Sequence, residues 1–157
     1  METYKGAVVR EFDPHYMWEL SRIRYALELS AAEDAVKNMT DQGLERLRQI
    51  QAAQREDLSN YNVDEFIRHD REFHSCIYEM SLNRELMKLA SNYYDVFRFL
   101  GMQAVMGTEE RRLTTIEEHQ DILEAMEQHN PKAAVQAMKK HMEQTETNIR
   151  RHIKIAP

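Results

Sequence analysis

Four side chains able to ligate a metal fall where the sequence calls for apolar ones. Phe66, Asp70, Phe73, His74 and Ile77 follow one another at i, i+4, i+7, i+8 and i+11, so Asp70 and His74 stand one turn apart on a helical face that is otherwise apolar. His119 comes three residues after Ile116 and four before Leu123; His141 comes three after Met138 and four before Thr145. Burying an unpaired carboxylate or imidazole is costly, so these groups need partners. One divalent ion satisfies all four at once, and neutral imidazoles with one carboxylate suit first-row ions, zinc or nickel first among them. A single histidine on an apolar stripe is more often a hydrogen-bonded core residue, and Asp70 and His74 could bond each other. Three stripes carrying such residues together weigh towards the metal. The other candidates do not join: His69 points about 100° away from Asp70, and Cys76 faces roughly opposite to His74. His15 lies in a first helical turn, His129 at a helix end, and His152 about three turns beyond His141.

Arg24 is the second anomaly. It sits between Leu20 and Leu27 on an inward stripe, and a guanidinium facing inward wants a carboxylate in bidentate geometry. That carboxylate is either a ligand's or Glu28's, four residues on. Arg98, beside Phe97, is a weaker case of the same kind. The ten methionines at helical spacing read as core filler.

The elements that position these residues are helices. Asp13-Pro14, Thr40, Asn62, Asn83, Thr108 and Asn130-Pro131 read as helix starts. Between them run six apolar stripes: Leu20, Ile23, Leu27 and Ala31; Leu44, Leu47, Ile50 and Gln54; Phe66, Phe73, Ile77 and Met80; Leu86 through Tyr93 to Leu100; Leu113, Ile116, Leu123 and Met126; Ala134, Met138, Met142 and Ile149. Short connections make neighbours antiparallel, so the expected fold is all-α, an antiparallel bundle of six or seven helices with the metal site in its core. Tyr4 to Arg10 is the only strand-like piece, too short to form a sheet alone.

Composition closes off other classes. The chain has 157 residues, net charge −6 and 42% apolar residues, which argues one domain with a real core. Seven Gly and Pro together are too few for the turns of a β-sandwich or barrel. One cysteine excludes an intrachain disulfide, and no apolar run approaches the length of a membrane span. The expected location is the cytoplasm. The acidic balance opposes nucleic-acid binding by this stretch alone.

The order and spacing of RIRYALEL (22–29), HDREFHSCIYEMSLN (69–83), EEHQDILEAMEQHNPKAA (117–134) and KKHMEQ (139–144) resemble the FCD effector domain of the FadR subfamily of GntR transcription regulators. The resemblance covers roughly 18–152. It implies Asp70, His74, His119 and His141 as metal ligands, Arg24 and Arg98 as contacts to a small organic acid, and a homodimer. Asn130 stands where the family usually has Asp, a change that keeps the cap. The resemblance also makes residues 1–12 the remnant of a wing strand and linker, and 13–157 the helical ligand-binding domain. The family's N-terminal winged helix-turn-helix is absent from this sequence, so DNA contact is expected only through that missing part. The expected function is metal-containing carboxylate sensing and dimerisation in a bacterial regulator, without catalysis. A metal-dependent enzyme on the same scaffold and a metal-free structural dimerisation module are the rival readings.

Overall fold

The computed structural model of the chain describes residues 13–154, so the expected strand at 4–10 lies outside the described residues. Among the described residues there are seven helices: α1 Pro14–Asn38, α2 Asp41–Ser59, α3 Val63–Met80, α4 Arg84–Asn92, α5 Tyr94–Val105, α6 Glu109–Glu127 and α7 Pro131–Ile153. Six of them start as their sequences dictate. The side chains of Asp13, Thr40, Asn62, Asn83, Thr108 and Asn130 each accept a backbone N–H of the first turn, a contact that contributes about 1 kcal/mol per helix.

The exception is α5. The stripe from Leu86 to Leu100 predicts one helix, but the chain breaks at Tyr93, whose φ of −107° and ψ of 14° leave the helical region. Ser91 and Asn92, which compete locally for backbone hydrogen bonds, precede the break. The break leaves Leu89 exposed and lets Phe97 and Leu100 turn inward against Met17 and Leu20 of α1 and Ile149 of α7. Ile23 and Leu113 are likewise exposed rather than on the buried stripes. On α1 the inward line runs Leu20, Arg24, Glu28, Ala31, and Ile23 falls beside it.

Two tight turns set the register that matters for the site. After α2, Tyr61 adopts φ 55°, the Tyr61 N–H bonds Leu58 O and the Asn62 N–H bonds Asp57 O. After α6, His129 adopts φ 51°, with His129 N–H to Met126 O and Asn130 N–H to Ala125 O. Both are Schellman endings built without glycine, and the asparagine that closes each one also caps the next helix. α2 therefore folds back on α3, and α6 on α7, with nothing between. α1 packs along α7 and α3, and α2 lies against α6.

The main core joins α1, α2, α3, α6 and α7, with Leu86 of α4 at its edge. Ala31, Ala32 and Ala35 let α1 approach closely, and Leu47, Phe73, Ile77, Ile122, Met126 and Met138 fill the interior. Each fully buried large side chain contributes on the order of 1.5–3 kcal/mol. Among the described residues no helix is long and apolar enough to cross a membrane.

Candidate metal centre and adjoining cavity

Hairpin register brings the histidines together. His119 and His141 lie eleven residues before and after Asn130, and Gln54 and Asp70 lie eight before and after Asn62. Residues equidistant from a tight antiparallel turn stand at the same level, so each pair meets across its hairpin. His74 follows Asp70 by one turn of α3. The ligand nitrogens of His74, His119 and His141 all lie within 4.8 Å of one another, and all three side chains are buried.

Each ring is held from behind. Nδ1 of His74 faces Glu28 Oε2 at 2.9 Å, Nδ1 of His119 faces Gln54 Oε1 at 2.9 Å, and Nδ1 of His141 faces Glu118 Oε2 at 2.8 Å. Those oxygens accept, so Nδ1 carries the proton in all three rings and a neutral ring presents a bare Nε2. Phe73 stacks flat on His119, with ring centroids 4.0 Å apart, and fixes its plane. Burial, then the neighbouring His141 and His74, push the His119 pKa well down. Burial also lowers His141, against the pull of Glu118. Burial opposes ionisation of Glu28, but His74, Arg24 and His141 outweigh it and hold that carboxyl at about 2.

The Nε2 atoms have the wrong company for a plain core. Nε2 of His74 and His141 face each other at 3.2 Å, and Nε2 of His119 is buried with no hydrogen-bond partner. Asp70 Oδ1 stands 3.6 Å from that orphaned nitrogen, just outside the nitrogen triangle, and 3.4 Å from Gln54 Nε2. Converging lone pairs beside a buried carboxylate fit a divalent first-row cation, with Glu28, Gln54 and Glu118 orienting the rings.

Beside this cluster opens a cavity of about 270 Å3, mostly apolar, whose wall includes Asp70, His74, Arg24 and Glu28. Arg24 is buried; its Nε donates to Glu28 Oε1 at 3.3 Å and its Nη1 to Phe97 O at 3.4 Å. Both are long for a guanidinium, which usually bonds a carboxylate at about 2.7–2.9 Å. Gly101 makes room for it, since a Cβ there would come within 3.3 Å of Arg24 Nη1. Arg98 is exposed at the cavity mouth, not inside. Tyr78, one turn beyond His74, turns a buried hydroxyl towards Glu28 in the same wall region, without a close hydrogen bond to it.

The remaining histidines stand apart, as their spacing implies. His69 pairs with Asp57, His15 with Glu19, and His152 bonds the Asn148 carbonyl. Cys76 is buried in the core near Gly43. From the sequence Glu28 is legible only as a partner for Arg24; Gln54, Tyr78 and Glu118 take their places at the site from the structure. Gln54 did carry a signal: it is a polar residue one turn after Ile50 on an apolar stripe.

Residues 19–144 match the FCD domain family. The Uxu operon regulator of Haemophilus influenzae is 30% identical over 138 residues, which are 84% of this chain and 50% of that protein. The chain thus spans about half the length of that relative. Among solved structures, Streptococcus agalactiae GntR superposes with a TM-score of 0.75 at 22% identity, covering 88% of this chain and 62% of that one. E. coli McbR/YncC gives 0.78 at 21%, covering 90% and 71%. The family is one of transcription regulators, not of enzymes. With an all-helical bundle, the ordered motifs and a match over most of its length, this chain belongs to the FCD family, the effector-binding domain of GntR-type regulators.

Proposed function

We propose that this domain is the metal-loaded sensor of a FadR-type bacterial regulator and that it binds a small organic acid. The observation that carries the reading is the set of three histidine Nε2 atoms, each ring pinned through Nδ1, beside a cavity that holds a loosely bonded Arg24. Asp70, His74, His119 and His141 would hold the ion, zinc or nickel by the chemistry of nitrogen donors with one carboxylate. When bound, the ion supplies a fixed positive charge that an acid's oxygen can meet. Arg24 supplies the second charge, exchanging its long contacts to Glu28 and Phe97 for the ligand's carboxylate. Because Arg24 belongs to α1 and Phe97 to α5, that exchange changes how the two helices pack, and such repacking is how binding biases a bistable assembly.

The likeness to an operon regulator supports a role in transcription, in the cytoplasm, as a homodimer whose DNA contacts lie in a winged helix-turn-helix outside this sequence. Elemental analysis of protein purified without chelator tests the centre: one divalent ion per chain is expected, lost in His119→Ala or His141→Ala. Organic acids should raise the melting temperature of the metal-loaded protein, and Arg24→Ala should remove that rise while the metal stays. A wild-type chain that neither carries nor takes up a divalent ion refutes the metal; stabilisation by neutral or cationic compounds alone refutes the acid.

A further inference from the structure

The cavity has a second charged end. Arg71 on α3 and Arg98 on α5 both line its mouth, and both also line an adjoining surface cavity of about 320 Å3. Among the described residues neither is paired with a carboxylate. On α3, Glu65 and Glu72 are held by Arg68 and Asp70 faces His119. Asp64, two turns before Arg71, lines the outer cavity as well, and Asp95 lies three residues before Arg98, but neither forms an ion pair with either arginine. Arg71 instead lies over the ring of Tyr94, 5.5 Å from its centroid, and Tyr94 precedes Arg98 by one turn of α5. Two guanidinium groups that share a cavity wall and have no ion-pair partner, in a chain with 27 acidic residues and a charge of −6, leave positive charge at that wall for an anion to neutralise.

The distance between the two ends follows from α5. Arg98 lies three residues before Gly101, and Gly101 is where the Arg24 guanidinium abuts that helix. The backbone position that carries the outer charge and the one that the inner charge abuts are therefore about 4.5 Å apart along the axis. Ile67, Phe97 and Met102 form apolar wall between them. Such a layout matches a molecule with an anionic group at each end and a short uncharged spacer.

We propose that Arg71 and Arg98 form a second anion subsite, so the domain's ligand class is a short dianionic acid rather than a monocarboxylate. This rests on the reading above, in which Arg24 and the metal take the first carboxylate. The outer subsite is partly in solvent, so its contribution weakens with salt.

The test uses the metal-loaded domain and two probe series, malonate, succinate, glutarate and adipate against monocarboxylates of matching chain length, by calorimetry at low ionic strength. The best dicarboxylate should bind at least about tenfold tighter than its monocarboxylate partner, about 1.4 kcal/mol. In Arg71→Gln/Arg98→Gln that ratio should fall towards one, and in the wild type it should shrink as salt is added. Both positions lie at the mouth, and far-UV circular dichroism with metal content verifies that the variant is folded; each single variant should give an intermediate ratio. A wild-type ratio near one, or a ratio unchanged in the double variant, overturns the second subsite. Failure of the underlying reading looks different: no acid of either series binds, or Arg24→Gln leaves monocarboxylate affinity as it was.

Discussion

Replacing Gln54 by methionine separates ring orientation from ordinary packing. Gln54 is fully buried, accepts from His119 Nδ1 at 2.9 Å and reaches Asp70 Oδ1 at 3.4 Å. Methionine is close to it in length and volume and adapts to irregular gaps, so the change removes polar contacts and little packing. The Gln54–Asp70 contact is long and contributes little. The His119 Nδ1–H is left without an acceptor, and an unpaired buried donor costs about 1–3 kcal/mol. In metal-free protein the ring has an escape, since it can carry its proton on Nε2 towards Asp70. That escape sets the lower end of the range, and it closes when Nε2 must face a cation.

For a domain of this size each kcal/mol moves the melting temperature by about 2–4 °C. A cost at the lower end, about 1 kcal/mol, therefore lowers the midpoint of the chelated variant by roughly 3 °C. Loss of a residue that orients a metal ligand lowers metal affinity by about 10–100-fold. That is about 1.4–2.7 kcal/mol, and at fixed free metal it is subtracted again from the loaded form. The loaded variant should therefore fall by about two to four times as much as the chelated one. Calorimetric scans with and without chelator, together with metal competition against a chromophoric chelator, read both quantities. Equal losses in the two forms with unchanged metal affinity would refute the assignment of Gln54 as an orienting residue.

Tyr78→Phe should leave the unliganded domain as stable as the wild type or slightly more so, because the buried hydroxyl it removes faces Glu28 but makes no close hydrogen bond. Affinity for acids should drop about 5–10-fold if the ligand satisfies that hydroxyl, read by the same titration, and a destabilised unliganded variant would show that the hydroxyl has a partner. Burial raises the pKa of Cys76, with Arg46 opposing, so the folded protein should react far more slowly with a thiol reagent than the denatured one; equal rates at neutral pH would mean the core opens there. Leu82 is exposed and held at φ 54°. Leu82→Gly should raise stability by about 0.5–1 kcal/mol, the relief of a left-handed side chain less the added freedom of the unfolded glycine, and a lower melting temperature would count against that accounting.

What the sequence made legible and what it did not divides along helix boundaries. Caps are local chemistry, so Asp13, Thr40, Asn62, Asn83, Thr108 and Asn130 could be read one by one. The histidines were legible because a polar residue on an apolar stripe is anomalous without knowledge of its neighbours. Glu28, Gln54 and Glu118 were not, because their task is defined by the ring each one meets on another helix. The break at Tyr93 was hidden for a related reason: the apolar phase continues across it, and only packing of Phe97 and Leu100 against α1 and α7 decides for two helices. The equal spacings about Asn62 and Asn130 stood in the sequence throughout, but they carry meaning only once the turns are known to be tight. With that known, spacing outranks residue type as evidence. One residue inserted between Asn130 and His141 would rotate His141 by about 100°, away from Glu118 and from His74, without altering a single ligand. The four ligating types would remain in order along the chain, and the centre would be gone.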